Sequence, residues 1–190
     1  MIADLIERAR SIRRFQENDS VDMETLRSLV NLARFSPCAG NLQTLKYLLS
    51  AEPKTNRLIF PQLAWAGYLP DWPGPSAGER PAAYIVQLAD LRLGQPKEVD
   101  AGIALQSMVI GAASLGLGSC IIGSVNRKKL QTVLSLPSDY SILYVLAIGR
   151  PAETVMVESI DSSGSIRYWR DEHGVHHVPK RILDELVVEP

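Results

Sequence analysis

Apolar residues recur at helical spacing in two stretches near the start of the chain. The pattern over residues 2–9 predicts an amphipathic helix that runs into a cluster of arginines. A second apolar stripe, over residues 26–33, follows Asp22, which is a candidate N-cap. Ser36 and Pro37 should end that second helix.

Short apolar runs further along the chain predict buried strands. The runs are Tyr47–Ser50, Ala82–Leu88 and Ile142–Ile148, and the last is the strongest. Between the first two, Phe60–Pro81 contains five prolines, three glycines and two tryptophans, which predicts a long irregular loop. Long loops in compact domains usually serve function, so we expect this one to form a lid or a pocket wall.

The segment Ala101–Asn126 contains no charged residue and is long enough to cross a membrane if it is helical. Its glycines and serines dilute the apolar content, and Gly116-Leu117-Gly118 should end a helix. The sequence therefore favours a buried helix over Ala101–Leu115, with Asp100 as a candidate cap, over a transmembrane span.

The C-terminal part of the chain combines helical and hairpin patterns. We predict a short helix over Arg127–Leu134, a hairpin-like segment over Arg167–Val178 that turns at residues 172–174, and a final helix over Pro179–Leu186. Helices and strands are intermixed without strict alternation, which predicts an α+β fold. With 190 residues, the chain fits one domain spanning 1–190.

Composition excludes several classes of protein. Twenty Lys+Arg and twenty-one Asp+Glu give a net charge of -1, so no general field attracts nucleic acid or an anionic membrane. Cys38 and Cys120 stand alone, without disulfide or zinc spacing, and we interpret both as packing residues in a reducing compartment. The charged N-terminus lacks the apolar run of a secretory signal, so we expect a cytoplasmic protein.

An arginine cluster is the first candidate for chemistry. Arg8, Arg10, Ser11, Arg13 and Arg14 place four cations and a hydroxyl within seven residues. Guanidinium groups and a hydroxyl suit a phosphate or the pyrimidine edge of a flavin. A solvated basic helix end explains the same residues equally well.

Two other motifs are weaker. Gly116–Ile121 looks like a dinucleotide-binding fingerprint, but it follows a helix where such a motif must follow a strand. His173, His176 and His177 surround the Gly174 turn without a cysteine cluster, so we expect solvent-exposed histidines and no metal site. No hydrolase elbow, zinc-protease pair or Walker lysine is present.

Taken in order, four segments carry a resemblance that none carries alone. They are residues 9–15 (ARSIRRF), 36–43 (SPCAGNLQ), 116–119 (GLGS) and 147–151 (AIGRP), with a basic tail at 178–181. Their order and spacing resemble the FMN-dependent nitroreductase family over nearly the whole chain. The resemblance implies a nitroreductase-like fold with a central mixed sheet flanked by helices, in an interlocked homodimer with FMN at the subunit interface.

The resemblance also implies roles for individual residues. Arg10 and Ser11 match the positions that hold the phosphate and ribityl chain of FMN, and Arg13 matches the basic position beside flavin N1 and O2. Ile122, Gly123 and Ser124 match the segment whose backbone N–H groups approach flavin N5 and O4.

Two segments far from the arginine cluster also match positions of the family's FMN site. Pro37, Cys38, Ala39 and Asn41 match the segment donated by the second subunit, and Lys180 and Arg181 match the phosphate-binding tail. Three residues depart from the family pattern: Ala9 in place of an arginine, Cys38 in place of a serine, and Thr44 in place of a proline.

The implied activity is hydride transfer from NAD(P)H through flavin N5 to a small planar acceptor, such as a nitroaromatic or a quinone, in a ping-pong mechanism. A flavin carries this redox chemistry itself, which explains why the chain shows no acid–base triad. Two alternatives stay open: a flavin-fragmenting or reductive dehalogenase enzyme of the same fold, and a non-catalytic FMN-binding protein.

Overall fold

The computed structural model describes residues 1–188 as five helices and seven strands. The helices are α1 (Ile2–Arg8), α2 (Met23–Arg34), α3 (Pro53–Ile59), α4 (Glu98–Ser114) and α5 (Arg127–Val133). The strands are β1 (Leu45–Ser50), β2 (Ala83–Asp90), β3 (Gly118–Ile122), β4 (Tyr140–Gly149), β5 (Val155–Ser159), β6 (Trp169–Arg170) and β7 (His176–Lys180). This mixture confirms the predicted α+β class.

The main sheet has the order β1-β2-β4-β3, and every neighbouring pair in it is antiparallel. The prediction of a central mixed sheet is therefore wrong. The strands β2 and β3, joined through α4, do run the same way, but β4 lies between them, so they never pair. Mixed pairing occurs instead in a second sheet, β5-β7-β6, where β5 and β7 are parallel and β6 and β7 antiparallel.

The core consists of two apolar clusters on the two faces of the main sheet. Strand β2 is buried along its whole length, and its alternate side chains enter different clusters. Ile85 packs with α2 and α4 on one face, whereas Val86 packs with Ile59 of α3 and Leu130 of α5 on the other. Burial on both faces explains why β2 appears in the sequence as a continuous apolar run.

The predicted helices and strands with strong local signals are present. The side chain of Asp22 caps α2 by accepting a hydrogen bond from the Thr25 amide at 2.6 Å. The three predicted strands correspond to β1, β2 and β4, and α5 lies where predicted. The 172–174 turn is also confirmed, since Gly174 adopts a positive φ of 79° between the antiparallel β6 and β7.

Other predictions need correction. Helix α4 begins at Glu98 and not after Asp100, whose carboxylate instead accepts a hydrogen bond from the Ala39 amide at 2.9 Å. The predicted helix over Pro179–Leu186 is wrong, because Pro179 and Lys180 belong to β7 and only Leu183–Glu185 forms a 3-10 turn. Pairing of β7 with β5, which no local pattern shows, overrides the helical spacing. Helix α3 and strands β3 and β5 were not predicted.

The segment from Arg10 to Gln16 lies between the two sheets. Ser11 pairs with Ser119 of β3, where the Ile12 amide donates to the Ser119 carbonyl at 2.9 Å. On its other side, the Ala152 amide donates to the Arg14 carbonyl at 2.9 Å. The fully buried Phe15 fixes this segment against the end of β4. In residues 1–188, no helix is both long and apolar enough to span a membrane.

Candidate functional site

A cavity of about 220 Å³ opens between the N-terminal segment, the end of β3 and the long loop. Arg13 lines it together with Ile122, Gly123 and Ser124. Cys120 and the loop segment 64–67 complete the lining. Four residues that the sequence placed at the flavin ring are thus brought to one cavity from positions more than a hundred residues apart.

The exposed edge of β3 supplies backbone donors to this cavity. Antiparallel pairing points alternate backbone groups of an edge strand toward its partner and away from it. Since Ser119 bonds outward to Ile12, the next outward residue of β3 is Ile121, whereas Ile122 turns its backbone groups toward Val145 of β4. The Ile121 amide therefore lies on the β3 edge that faces away from β4, and Gly123 and Ser124 line the cavity just beyond the end of the strand.

Contacts on several sides hold the Arg13 side chain. Its Nη1 donates to the Ser11 carbonyl at 3.4 Å and to Nε2 of His176 at 3.1 Å. Its guanidinium carbon lies 4.8 Å from the ring centroid of Tyr168, a cation–π geometry. A cation at the cavity wall is therefore fixed by the second sheet.

A buried carboxylate fixes the backbone beneath that arginine. Oε1 of Glu153 accepts hydrogen bonds from the amides of Arg13 and Arg14, the latter at 3.1 Å. Oε2 of Glu153 pairs with Arg170 at 2.8 Å, and the two side chains are only 1% and 11% exposed. Burial lowers the pKa of Arg170 from its usual value, and the Glu153 charge opposes that shift.

The expectation of solvent-exposed histidines holds for His173 but is wrong for His176. It is fully buried on the central strand of the second sheet, and its neighbour His177 is also largely buried. Burial, together with the nearby charges of Arg13 and Arg170, lowers the pKa of His176 to about 4. His177 points elsewhere and bonds to Glu158 and Asp171, of which Glu158 chiefly raises its pKa.

The long loop is tied to the second sheet by aromatic contacts. Tyr68 packs against Tyr168 in a tilted geometry with ring centroids 4.9 Å apart, and the guanidinium carbon of Arg170 lies 4.2 Å from the ring centroid of Trp72. Trp65 lines the cavity, and its buried Nε1 has no partner among the described residues. The loop therefore forms a wall of the cavity, as its composition predicts.

Cys120 behaves as the packing residue that the sequence suggests. It is 5% exposed, and burial raises the pKa of its thiol to about 11, so the thiol stays protonated at neutral pH. Cys38 is half-buried, with its sulfur 3.9 Å from Oδ1 of Asn41. Neither cysteine lies beside a base that would make it a nucleophile.

The four residues predicted to bind the phosphate and ribityl chain lie outside the cavity lining. Nη2 of Arg10 turns back along α1 to the Ile6 carbonyl at 2.6 Å, while its buried Nε has no partner in residues 1–188. Lys180 is exposed at the end of β7, and Arg181 pairs with Glu185 at 3.1 Å. Ser11 is exposed beside β3.

The segment predicted to come from a second subunit also lies away from the cavity of its own chain. Pro37 lines a shallow apolar groove of about 470 Å³ formed by residues of α1, α2 and α4. Cys38, Ala39 and Asn41 follow in a 3-10 turn, which the Asp100 carboxylate anchors at Ala39. No residue of 37–41 lines the Arg13 cavity.

Sequence reasoning missed the residues that hold Arg13 in place. Glu153, Tyr168 and His176 lie in the C-terminal part, where the sequence contains no motif that points to the arginine cluster. The two aromatic loop residues Trp65 and Trp72 were noted, but their partners could not be read from the loop itself.

Comparison with known proteins identifies the family of this chain. Residues 6–150, more than half of the chain, match the model of the nitroreductase family. The chain belongs to the nitroreductase family. The predicted class of enzyme, an NAD(P)H/FMN oxidoreductase of the nitroreductase type, is confirmed at the level of the family.

Individual relatives are distant. Protein DrgA of Synechocystis sp. is 23% identical over 176 residues, which cover 79% of this nitroreductase and 84% of the relative. An FMN-dependent nitroreductase from Clostridium difficile has a similar structure, with a TM-score of 0.61 and 24% identity over 87% of this chain and 94% of that one.

A second similar structure is NADPH:FMN oxidoreductase from Vibrio harveyi in complex with NAD+. Its TM-score is 0.62, and its identity is 20% over 80% of this chain and 69% of that one. At these identities the two structures establish the fold, which is the predicted nitroreductase-like fold.

Proposed function

We propose that this nitroreductase binds FMN between two subunits and transfers hydride from NAD(P)H to a small planar acceptor, a nitroaromatic or a quinone, in a ping-pong mechanism. The observation that carries the proposal is that Arg13 and residues 122–124 line one cavity. The C. difficile and V. harveyi proteins, by their names, depend on FMN or reduce it.

The donors around the cavity fit the acceptor-rich edge of a flavin. The guanidinium of Arg13, the unpartnered Trp65 Nε1 and the edge amides of β3 are hydrogen-bond donors. A flavin ring offers carbonyl oxygens and ring nitrogens as acceptors along one edge. The residues present therefore fit the cofactor that the resemblance implies.

The size of the cavity supports a site shared between subunits. Pockets for cofactors usually occupy about 300–1,000 Å³, whereas this cavity occupies about 220 Å³. A second copy that contributes its 37–41 segment would enlarge and close the site. In that arrangement Pro37, Cys38, Ala39 and Asn41 contact FMN bound to the other chain.

When bound, FMN supplies the hydride acceptor and donor. The protein's own residues supply binding, orientation and charge. Arg13 would place a positive charge beside the N1 and O2 edge, where negative charge develops on reduction. Ile122, Gly123 and Ser124 would lie along the opposite edge, and the loop at Trp65 would cover that side of the cavity.

Binding of the phosphate is proposed for the basic residues outside the cavity. Arg10, Ser11, Lys180 and Arg181 are accessible or carry unused donor capacity, and guanidinium groups suit a phosphate dianion. Arg181 would exchange its exposed bond to Glu185 for the phosphate, at little cost because exposed ion pairs contribute little.

We expect the protein to purify yellow with one FMN for each chain, because its donor set fits a phosphorylated, planar, acceptor-rich ligand. The absorption spectrum and the cofactor released on denaturation check this directly. FAD as the released cofactor, or no flavin even after reconstitution, would refute the proposal.

Turnover separates the proposal from its alternatives. Oxidation of NADH or NADPH that requires an added nitroaromatic or quinone supports the oxidoreductase. Holoprotein without turnover indicates a storage or sensing protein. Loss of flavin or of halide during the reaction indicates a flavin-fragmenting enzyme or a dehalogenase.

The proposed dimer makes a second prediction. Phe35 is 69% exposed beside the apolar groove that contains Pro37, and exposed apolar patches of this kind mark protein interfaces. Wild-type protein should scatter light with twice the 20.9 kDa mass of the chain. Phe35→Asp should give monomers that lose FMN, since burying a charge in the interface is costly.

Met156→Asp is the matched control for this prediction. Met156 is 50% exposed on β5, outside the groove, so this variant should stay dimeric and yellow. A wild-type mass of one chain, or dimers from Phe35→Asp, would contradict the proposed interface.

A further inference from the structure

Three of the residues that hold Arg13 lie outside the part of the chain that the family model matches. That match ends at residue 150, whereas Glu153, Tyr168 and His176 all come later. Only the Ser11 carbonyl contacts Arg13 from within the matched part. The contacts that fix the cavity arginine thus come mainly from the C-terminal part of the chain.

We propose that His176 is the positioning residue for Arg13: its neutral imidazole accepts a hydrogen bond from the guanidinium through Nε2 and holds that charge at the cavity wall. The proposal rests on the FMN function proposed above, since the charge matters there for the reduced cofactor. The hydrogen bond between Arg13 and His176 does not itself depend on any cofactor.

The chemistry of the pair fixes the state of the imidazole. Arg13 Nη1 lies 3.1 Å from His176 Nε2, and a guanidinium offers donors only. Nε2 must therefore carry a lone pair, which places the ring proton on Nδ1. A protonated imidazole would oppose a second cation directly.

The surroundings keep the imidazole neutral. The charged or titratable groups that face it are Arg13 from the N-terminal segment, Arg170 from β6 and His177 beside it on β7. All of these are cationic or neutral. The ring of Tyr168 packs against the imidazole in a tilted geometry, with centroids 5.2 Å apart.

The hydrogen bond between Arg13 and His176 leaves one donor of the imidazole unsatisfied, which costs folding free energy. In this tautomer Nδ1 carries the proton, and Nδ1 is buried with no hydrogen-bond partner in residues 1–188. An apolar ring of the same size would avoid that loss. In residues 1–188, the contact with Arg13 is the hydrogen bond that the imidazole makes in return.

The first test observes the contact without cofactor. In apoprotein labelled with ¹⁵N, long-range correlation through the imidazole should show His176 protonated at Nδ1 and unprotonated at Nε2 from pH 6 to 8. Protonation of Nε2, or a charged ring in this range, would overturn the proposal even if FMN never binds.

The second test measures what the contact does for bound FMN. His176→Phe keeps an aromatic ring against Tyr168 but removes the acceptor. The affinity for reduced FMN relative to oxidised FMN, obtained from the reduction potential, should fall about 3- to 10-fold, because a mobile Arg13 stabilises the anionic form less well. Stability toward urea should stay unchanged or rise.

Rescue and coupling distinguish positioning from a structural role. His176→Gln retains an acceptor and should recover most of the potential, whereas His177→Gln, the neighbour on the same strand, should leave it unchanged. In an Arg13→Ala background, His176→Phe should have no further effect on the potential.

Additive effects of the two substitutions, or a wild-type potential for His176→Phe, would refute the positioning role. Absence of FMN from wild-type protein would instead refute the proposed function, and the apoprotein measurement would still decide the contact. The two failures are therefore distinguishable.

Discussion

Glu153→Ala is expected to destabilise the protein by about 3–5 kcal/mol, the usual effect of removing one partner of a buried ion pair. The substitution leaves the Arg170 guanidinium, 11% exposed, without its carboxylate. It also removes the acceptor of the Arg13 and Arg14 amides. Since domains are stable by only about 5–15 kcal/mol, the loss should lower the midpoint of urea unfolding strongly.

Glu185→Ala provides the control for this measurement. Glu185 forms an ion pair with Arg181 in which both side chains are about half exposed. Such pairs contribute about 0–1 kcal/mol. Equal effects of the two substitutions would show that the Glu153 carboxylate does not hold the N-terminal segment against the second sheet.

A second variant tests the origin of the loss. Adding Arg170→Leu to Glu153→Ala removes the uncompensated charge, so the double variant should recover part of the lost stability. The stability that is not recovered then measures the loss of the two hydrogen bonds from the Arg13 and Arg14 amides.

The elements predicted from the sequence are those specified by neighbouring residues. Helix α2 follows from Asp22 and the apolar stripe that begins at Leu26, because capping and amphipathic spacing act within a few residues. Strand β2 follows from its continuous apolar run, which reflects burial on both faces. Neither inference needs knowledge of a distant partner.

The elements that were missed or misassigned depend on distant pairing. Strand β3 has five residues, the first of which belongs to the predicted helix terminator at 116–118, and it pairs with β4 and with Ser11. Residues 179 and 180 show helical spacing with the following residues, but parallel pairing with β5 extends them. Local propensity cannot reveal such partners.

The candidate site also contains residues that the sequence indicated and residues whose role depends on distant contacts. The resemblance supplied Arg13 and residues 122–124, which the structure brings to one cavity. His176 is buried on the central strand of the second sheet and contacts Arg13, 163 positions earlier in the chain. The turn glycine beside the histidines showed neither partner and suggested exposure instead. Arg10 and Arg181 match the family pattern, yet their observed partners are Ile6 and Glu185.

Arg13→Ala should lower the reduction potential of bound FMN by about 30–65 mV. A hydrogen bond from a charged donor contributes about 1.5–3 kcal/mol, and for a two-electron couple about 1.4 kcal/mol corresponds to 30 mV. In the proposed site the guanidinium would favour the reduced, anionic cofactor over the neutral oxidised one, so its loss should destabilise the product of hydride transfer. Reduction by NAD(P)H should slow accordingly, while FMN binding weakens only modestly.

Other arginines should act differently, which makes the assignment testable. Arg13→Lys should recover much of the potential, because a point charge suffices where no bidentate contact is needed. Arg10→Ala and Arg181→Ala should reduce FMN affinity through the phosphate and leave the potential of saturated protein near the wild-type value. Each variant is reconstituted with saturating FMN and titrated against a reference dye.

The pattern of shifts then locates the cofactor relative to the cluster. A potential lowered by Arg10→Ala and not by Arg13→Ala would reverse the roles of the two arginines. No shift in either variant would place the arginine cluster away from the flavin ring, although Arg13 shares its cavity with Gly123. A fall confined to Arg13→Ala is the expected result, because among these arginines only Arg13 lines that cavity.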